Sequence, residues 1–574
     1  MKYRRRIGLA GAAWAALSAP VWAQTAPAPS RVEPPVVIPT FAAGHIAIPQ
    51  VPAGAAVPEQ ARKLGFKLLG FDIQGEFEEL AAQRAAAAAP LVGKAVTVAQ
   101  IFEFADTLQQ IYVRAGYPLA RVVILPQEFA GSARIKLRII DGFVERMDLD
   151  AIAPLVRARV AAVLAPLERK THLKQAELER RLLIAGETPG LTLNATFAAG
   201  KEVGGSVLLL TGRYRPVSAS IYLDNDMPAV FGGYQVVTTS SLNGVLGFGE
   251  QLTVSAAGLP DSNLGGDFPT RRYLSAVGSV PIGIDGWTLG FSGTNGVTTP
   301  QVPAGEGSQG LLNQGAVKLG YQAIKLRDFE LAFDGQFDAT NEEIDSLAVS
   351  PQTPLSLDRV RALRGGADGV WRLRESGTTL QFGATVSQGL NAFGARTAAD
   401  ATPTLPLSRQ GANAVFSKID GHFEIDQTLA NNVFASILAA GQTSFHHALL
   451  TSEQYDIDGP KLLSGFTAGS LAGDTAWATR GELGRAFAVP IPSGALTTTP
   501  YLFGAVGESI LEDPTALEIG DVQAANLGAG LRINFAPAGD ALPSAYGFVE
   551  FSRSFSNDSA LRGDTVLLGL LLQY

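Results

Sequence analysis

Residues able to do metal, nucleophilic or acid–base chemistry are sparse in this 574-residue chain, and their spacing does not suit it. The five histidines, His45, His172, His422, His446 and His447, form no His-Glu-x-x-His pattern and no comparable ligand spacing. His446 and His447 are neighbours on an expected strand, where adjacent side chains point to opposite faces and cannot easily share a metal. Cysteine is absent, which excludes a thiolate metal site and a disulfide framework. Gly244, Gly247 and Gly249 resemble a phosphate loop only superficially: no strand-to-helix context and no Lys-Ser/Thr follows them. Asp224 with Asp226, and Asp456 with Asp458, could be paired carboxylates but read as solvated acids beside turns. An outer-membrane hydrolase would need a serine and a histidine on one lumen-rim or lipid-facing site, which sequence alone cannot assemble. The expectation is a protein with no catalytic site, no metal and no cofactor.

The elements around these residues point elsewhere. Lys2, Arg4, Arg5 and Arg6 precede an apolar run from Ile7 to about Ala19 that ends in Val21-Trp22-Ala23, the pattern of a secretory signal cut before Gln24 (residues 1–23). Removing four positive charges makes the exported chain more acidic than the full chain's net −8, so nucleic acid is not an expected partner. After the signal no run of about eighteen apolar residues occurs, so any membrane crossing must be made by a β-barrel.

Residues 24–65 are rich in proline and alanine and read as an extended linker, either a plain tether or a mobile plug or docking tail. Residues 66–142 read as a compact α+β module. Its second helix carries Ile101, Ala105, Leu108 and Tyr112 at helical spacing, and its last strand alternates Ile135, Leu137 and Ile139 with Arg134, Lys136 and Arg138. Residues 143–212 repeat the element order, with helices expected at 152–167 and 171–185 and strands at 191–197 and 206–210. From Val217 onward (domain 213–574) short segments alternate apolar with polar or small residues between turns. Val217, Ala219, Ile221 and Leu223 oppose Ser218, Ser220, Tyr222 and Asp224, giving one face for lipid and one for a polar lumen. Val566, Leu568, Leu570 and Leu572 share a face that ends on the aromatic Tyr574, as a closing barrel strand requires; Tyr574 is expected to be a barrel-assembly signal. The remaining length accommodates about sixteen strands of roughly ten residues.

The first module carries Tyr112-Val-Arg-Ala-Gly116-Tyr117-Pro118, Leu125-Pro126-Gln127 and Ile139-Ile140-Asp141-Gly142. The second carries Glu177-Leu178-Glu179-Arg180 and Pro189-Gly190-Leu191. With these motifs in this order, the chain from Phe66 onward resembles the two-partner secretion outer-membrane transporters, the TpsB type or ShlB/FhaC/HecB haemolysin secretion/activation family. The resemblance implies two periplasmic POTRA domains followed by a sixteen-stranded outer-membrane barrel. It also implies an extracellular loop, about 456–474, that folds back into the pore. In the region 452–487 the family's Val-Arg-Gly-Phe/Tyr motif is Leu463-Ser464-Gly465-Phe466, and its Phe-x-Asp-x-Gly strand motif is Phe503-Gly504-Ala505-Val506-Gly507. Both members of the family's arginine–aspartate pair are thus replaced, by Ser464 and Ala505. Losing both halves avoids burying an unpaired charge, and the expectation is a loop held by Phe466 packing and neutral hydrogen bonds.

The function implied is ATP-independent export of an unfolded TpsA-type partner, expected to be β-helical. Capture would occur on a strand edge of the second module formed by Leu191, Leu193, Ala195, Phe197, Val207 and Leu209. Outer-membrane lipids and the barrel-assembly machinery are the other expected partners. Competing readings are an insertase of the same superfamily, which usually carries more POTRA domains, and a non-transporting barrel enzyme or receptor.

Overall fold

The computed structural model describes residues 27–34, 57, 59–128, 131–261, 263–303, 307–539 and 542–574. The expected signal (1–23), most of the linker, and His45 lie outside these.

In the first module, β1 (Gly65–Gln74), α1 (Ala81–Ala88), β2 (Ala95–Thr97), α2 (Val98–Arg114), β3 (Arg121–Ile124) and β4 (Ser132–Ile140) form a sheet in the order β2-β1-β4-β3 under two helices. A capping box starts α2: Thr97 Oγ1 accepts from Gln100 N, and the Gln100 side chain accepts from Thr97 N. The helix buries Ile101, Phe104, Leu108 and Tyr112 against Leu68, Ile135 and Leu137 of the sheet and Phe77. In the second module, β5 (Phe143–Ala151), α3 (Pro154–Leu164), α4 (Gln175–Gly186), β6 (Leu191–Ala199) and β7 (Gly205–Tyr214) give a sheet in the order β5-β7-β6. Both helices are shorter at their starts than the apolar pattern suggests. Pro154, whose fixed φ suits a first helical turn, opens α3, and Ala165–Leu167 continue it only as a 3-10 turn.

From β8 (Val217–Asp224) onward, antiparallel strands close on themselves as a barrel of sixteen, counting β8 and taking Thr475–Arg485 and Phe487–Ile491 as one because both pair with Gly494–Ile510. Outward positions are apolar, among them Leu274, Phe291, Val317, Phe333, Leu527 and Phe551, while on β8 the alternate residues Ser218, Ser220 and Asp224 are buried inward. Trp287 and Tyr321 stack 4.5 Å apart near the domain-bearing rim, where interfacial aromatics belong. The barrel closes by pairing β8 with Gly563–Gln573. Tyr574 continues that seam through its main chain, which bonds Ala219 in both directions at 2.9 and 3.1 Å, and leaves its ring exposed.

The second module docks on the near rim through arginines that cap turn carbonyls. Arg180 donates to Ala323 O at 3.0 Å, Gln322 O at 2.7 Å and Asp285 O at 2.8 Å. Arg181 donates to Ile284 O and to Asp285 Oδ1, each at 2.8 Å. At the joint Gly190 has φ +76°, and a Cβ there would fall 2.3 Å from Arg215 O, so only glycine lets the two chains approach.

Candidate functional site

Residues 444–474 leave the far end of the barrel between the strands Val433–Thr443 and Thr475–Arg485 and fold into the lumen. Two buried acids root the loop. Glu453 is bonded by Arg364 and Lys418, each at 2.8 Å, and Arg364 also pairs with Asp338 at 2.7 Å. Asp474 pairs with Arg409 at 2.7 Å and accepts from the main-chain N of Leu449 and Glu512. These acids keep their charge inside protein because each meets a cation and further donors.

The expected pore-loop motif lies at the tip. Leu463 and Phe466 are buried with Ile457, Ala476, Ala478 and Ala505. Gly465 O accepts from Ser554 Oγ at 2.9 Å and Thr565 Oγ1 at 3.0 Å. Ser464 Oγ accepts from Arg480 Nη1 at 2.8 Å and from Asn526 Nδ2 at 3.3 Å. Arg480 and Asn526 are the two cross-strand neighbours of Ala505, so Ser464 is seated over the position of Ala505. Gly507 permits the approach of Ile457, whose Cδ1 would be 3.1 Å from a Cβ there.

The expectation of a wholly neutral tip is therefore corrected. A guanidinium is present but comes from the wall: Arg480 also bonds Glu482 Oε1 at 2.8 Å and Glu550 Oε1 at 2.7 Å, and lies 3.9 Å over the Phe503 ring. Tyr501 donates to Glu550 at 2.6 Å, and Arg532 pairs with Glu482 at 2.7 Å. A motif comparison cannot find this arginine, because its relation to Ala505 is one of sheet register. The available signal was alternation, which puts Arg480 and Glu482 on the inward face of their strand with Ala476 and Ala478.

Other expectations change as well. Of the proposed capture edge, Val207 and Leu209 lie on β7, the central strand, paired on both sides. Leu191, Leu193, Ala195 and Phe197 lie on β6, which is an outer strand, but Leu191, Leu193 and Ala195 are buried in the module's core and Phe197 packs against it. Only the main chain of β6 can offer an edge. His446 and His447 sit in the loop after Thr443, His446 at φ +64°, and not on a strand. Asp224 and Asp226 are buried, not solvated: Asp224 accepts from Gln235 and from Asp226 N, and Asp226 O accepts from Ala468 N of the loop. Asp458 Oδ2 accepts from Leu471 N at 2.8 Å and so braces the tip. Among the described residues no group of three or more His, Asp or Glu is placed to hold a metal ion.

A short N-terminal segment shares the lumen. Pro29–Val32 form a 3-10 turn in its far half, and Arg31 contacts Gln454 of the loop. Below the barrel, α2 and the outer strand β3 flank an apolar cavity of about 520 Å³ lined by Phe102, Ala105, Val123 and Leu125. In the same module Tyr117 donates to Glu79 Oε1 at 2.6 Å. That bond pushes the phenol up to about 12 and holds the Glu79 carboxyl below its usual range.

Residues 204–532 match the model for haemolysin secretion/activation protein ShlB/FhaC/HecB, and residues 66–142 match the ShlB-type POTRA domain. The chain is similar to the heme/hemopexin transporter protein HuxB of Haemophilus influenzae, 24% identical over 297 residues that make up 50% of each chain, so it spans about half the length of that relative. It is also similar to the hemolysin transporter protein ShlB of Serratia marcescens, 25% identical over 79% of this chain and 77% of that one. Among solved structures, CdiB from Escherichia coli superposes with a TM-score of 0.67 at 17% identity, covering 91% of this chain and 93% of that one. CdiB from Acinetobacter baumannii gives 0.59 at 14%, covering 89% of each. These superpositions show a shared fold. With more than half its length inside the family model, the chain belongs to the ShlB/FhaC/HecB haemolysin secretion/activation family, as an outer-membrane barrel with its POTRA domains in the periplasm.

Proposed function

We propose that this protein captures an exported, unfolded TpsA-type partner in the periplasm and conducts it through its lumen to the cell surface. The observation that carries this reading is the lumen itself. It is wide enough to hold a loop and a separate peptide segment, and both are fastened by polar contacts that can be exchanged for others. Capture is assigned to the main chain of β6, since an outer strand offers hydrogen-bonding groups to any extended sequence. The strand begins beside a cavity of about 390 Å³ between Glu187–Pro189 and the lumen wall at Thr288, Lys318 and Asp334, so a bound chain is delivered to the mouth. No catalytic step is required, and folding of the partner outside would supply the drive. Lipids contact the apolar outer face, and the barrel-assembly machinery, reading Tyr574, inserts it.

Removing residues 66–212 should abolish secretion of a co-expressed partner while the barrel still inserts. Undiminished secretion by that variant would reject the capture role.

A further inference from the structure

The lipid-facing side of the barrel carries a row of polar side chains between apolar ones. Asn295 of the strand Trp287–Thr298, Asn313 of Ser308–Lys325, Asn341 of Phe329–Ser346 and Arg359 of Thr353–Leu373 are direct cross-strand partners in that order. By alternation they share the outward face of Phe291, Val317, Phe333 and Leu363, all exposed. Asn295 Nδ2 donates to Asn313 Oδ1 at 2.9 Å. Arg361 extends the row: Nη2 donates to Asn341 Oδ1 and Nε to Phe393 O, each at 3.1 Å, and Nη1 donates to Thr340 O at 3.2 Å and Val360 O at 2.6 Å. The wall beside the row is open, since a Cβ on Gly293 or Gly315 would meet only a main-chain oxygen at 3.8 Å.

The height of this patch follows from the strand that carries it. Trp371, edge-on to Phe329 at the domain-bearing end, lies on the same face as Arg361 and 371 − 361 = 10 residues away. At about 3.3 Å per residue and a tilt near ~40°, that run climbs about 25 Å, the height of the apolar band of an outer-membrane barrel. Arg361 therefore stands at the outer boundary of the membrane, level with the headgroups of the outer leaflet.

Its charge is uncommitted. All its acceptors are neutral, and it has no carboxylate partner among the described residues. Arg359 is exposed and makes no side-chain hydrogen bond among the described residues, and Glu343, on the neighbouring strand, offsets part of its charge. By contrast Arg553, also outward, faces Asp564 at 3.9 Å. Beside the guanidinium of Arg361 the surface turns apolar: Phe393, 77% exposed, packs edge-on against Phe337 at 5.6 Å, and Leu363 is the next outward residue on the strand.

We infer that Arg359 and Arg361, with the amides of Asn295, Asn313 and Asn341, bind the phosphorylated sugar headgroup of an outer-leaflet glycolipid, whose acyl chains lie along Phe337, Leu363 and Phe393. Arginine supplies charge-assisted bonds to phosphate. Asparagine amides both donate and accept, as sugar hydroxyls and acyl amides require, and a glycerol phospholipid offers fewer such groups. The site belongs to the lipid face and does not depend on the transport reading.

The test is native mass spectrometry of the full chain in an uncharged detergent. It is titrated with an acylated diglucosamine carrying two phosphates, with the same lipid stripped of phosphate, and with phosphatidylglycerol. The diphosphorylated glycolipid should bind saturably, roughly tenfold more tightly than the stripped one, as expected for bonds to a charged group. It should also bind more tightly than phosphatidylglycerol and resist displacement by millimolar inorganic phosphate. These comparisons use the unmodified protein, so no variant has to fold. Arg359→Gln with Arg361→Gln should weaken binding of the diphosphorylated lipid roughly tenfold, whereas Arg553→Gln should leave it unchanged. Absence of saturable binding, equal binding of the stripped lipid or of phosphatidylglycerol, displacement by inorganic phosphate, or equal effects of the two variants would overturn the inference.

Discussion

The root and the tip of the pore loop are fastened by different chemistry. At the root the loop supplies buried acids, Glu453 and Asp474, and the surrounding barrel and its far-end loops supply Arg364, Lys418 and Arg409. At the tip the wall supplies the charge and its counter-charges, Arg480 with Glu482 and Glu550, and the loop contributes a serine hydroxyl, a carbonyl and the buried apolar side chains of Ile457, Leu463 and Phe466. Withdrawing the root would leave Lys418 without its carboxylate and take one of two from Arg364 and from Arg409. Withdrawing the tip leaves the wall network neutralised and costs a few hydrogen bonds and the burial of Leu463 and Phe466. The difference predicts a firmer hold at the root than at the tip.

The largest effect should follow Glu453→Ala, which strands Lys418 and half of the Arg364 interaction in the interior. Breaking a buried pair on one side typically costs about 3–5 kcal/mol, so the thermal transition of the barrel should fall and resting conductance should rise. A stability close to that of the unmodified protein would erase the distinction between root and tip.

An intermediate effect is expected from charges introduced at the tip. Ser464→Arg would bring a second guanidinium against Arg480 and should lower stability. Adding Ala505→Asp should recover part of the loss, because residue 505 lies across the ladder from Arg480. Coupling of about 0.5–3 kcal/mol in the double-mutant cycle is the expected signature of contact. Its absence would mean that the two motifs do not face each other.

The smallest effect should come from Ser464→Ala, which removes one acceptor from an arginine that keeps both carboxylates. About 1–3 kcal/mol is lost when such a bond to a charged group is removed. The loop should therefore open more often, seen as more frequent conductance steps, while the melting temperature barely moves.

The sequence made local patterns and the family motifs legible, and left non-local pairing hidden. Alternation on β8 put Ser218 and Ser220 inward, and the motif comparison put Ser464 and Ala505 at one level of the lumen. Arg480 escaped because its partner is set by cross-strand register, which no spacing along the chain encodes. Val207 and Leu209 were misplaced at an edge for a similar reason: alternation shows that a strand has a buried face but not that β7 takes the centre of its sheet through parallel pairing with β5. Residues 29–32 carry no apolar period, and their partners Arg271, Tyr273 and Glu342 lie far along the chain, beyond the reach of any local pattern.

The most direct test of conduction through the lumen is a reversible lock on the tip. The chain has no cysteine, and an ideal Cβ on Gly465 falls 2.2 Å from Ser554 Oγ, so the two positions adjoin and Gly465→Cys with Ser554→Cys is the pair to cross-link once the tip shifts to admit the new side chain. Partner secretion should stop when this pair is oxidised and resume on reduction, at unchanged barrel level. A matching pair across the seam, Ile221→Cys with Leu572→Cys, should leave secretion intact. Continued secretion with the tip locked, or arrest by the seam lock alone, would contradict transport through the lumen.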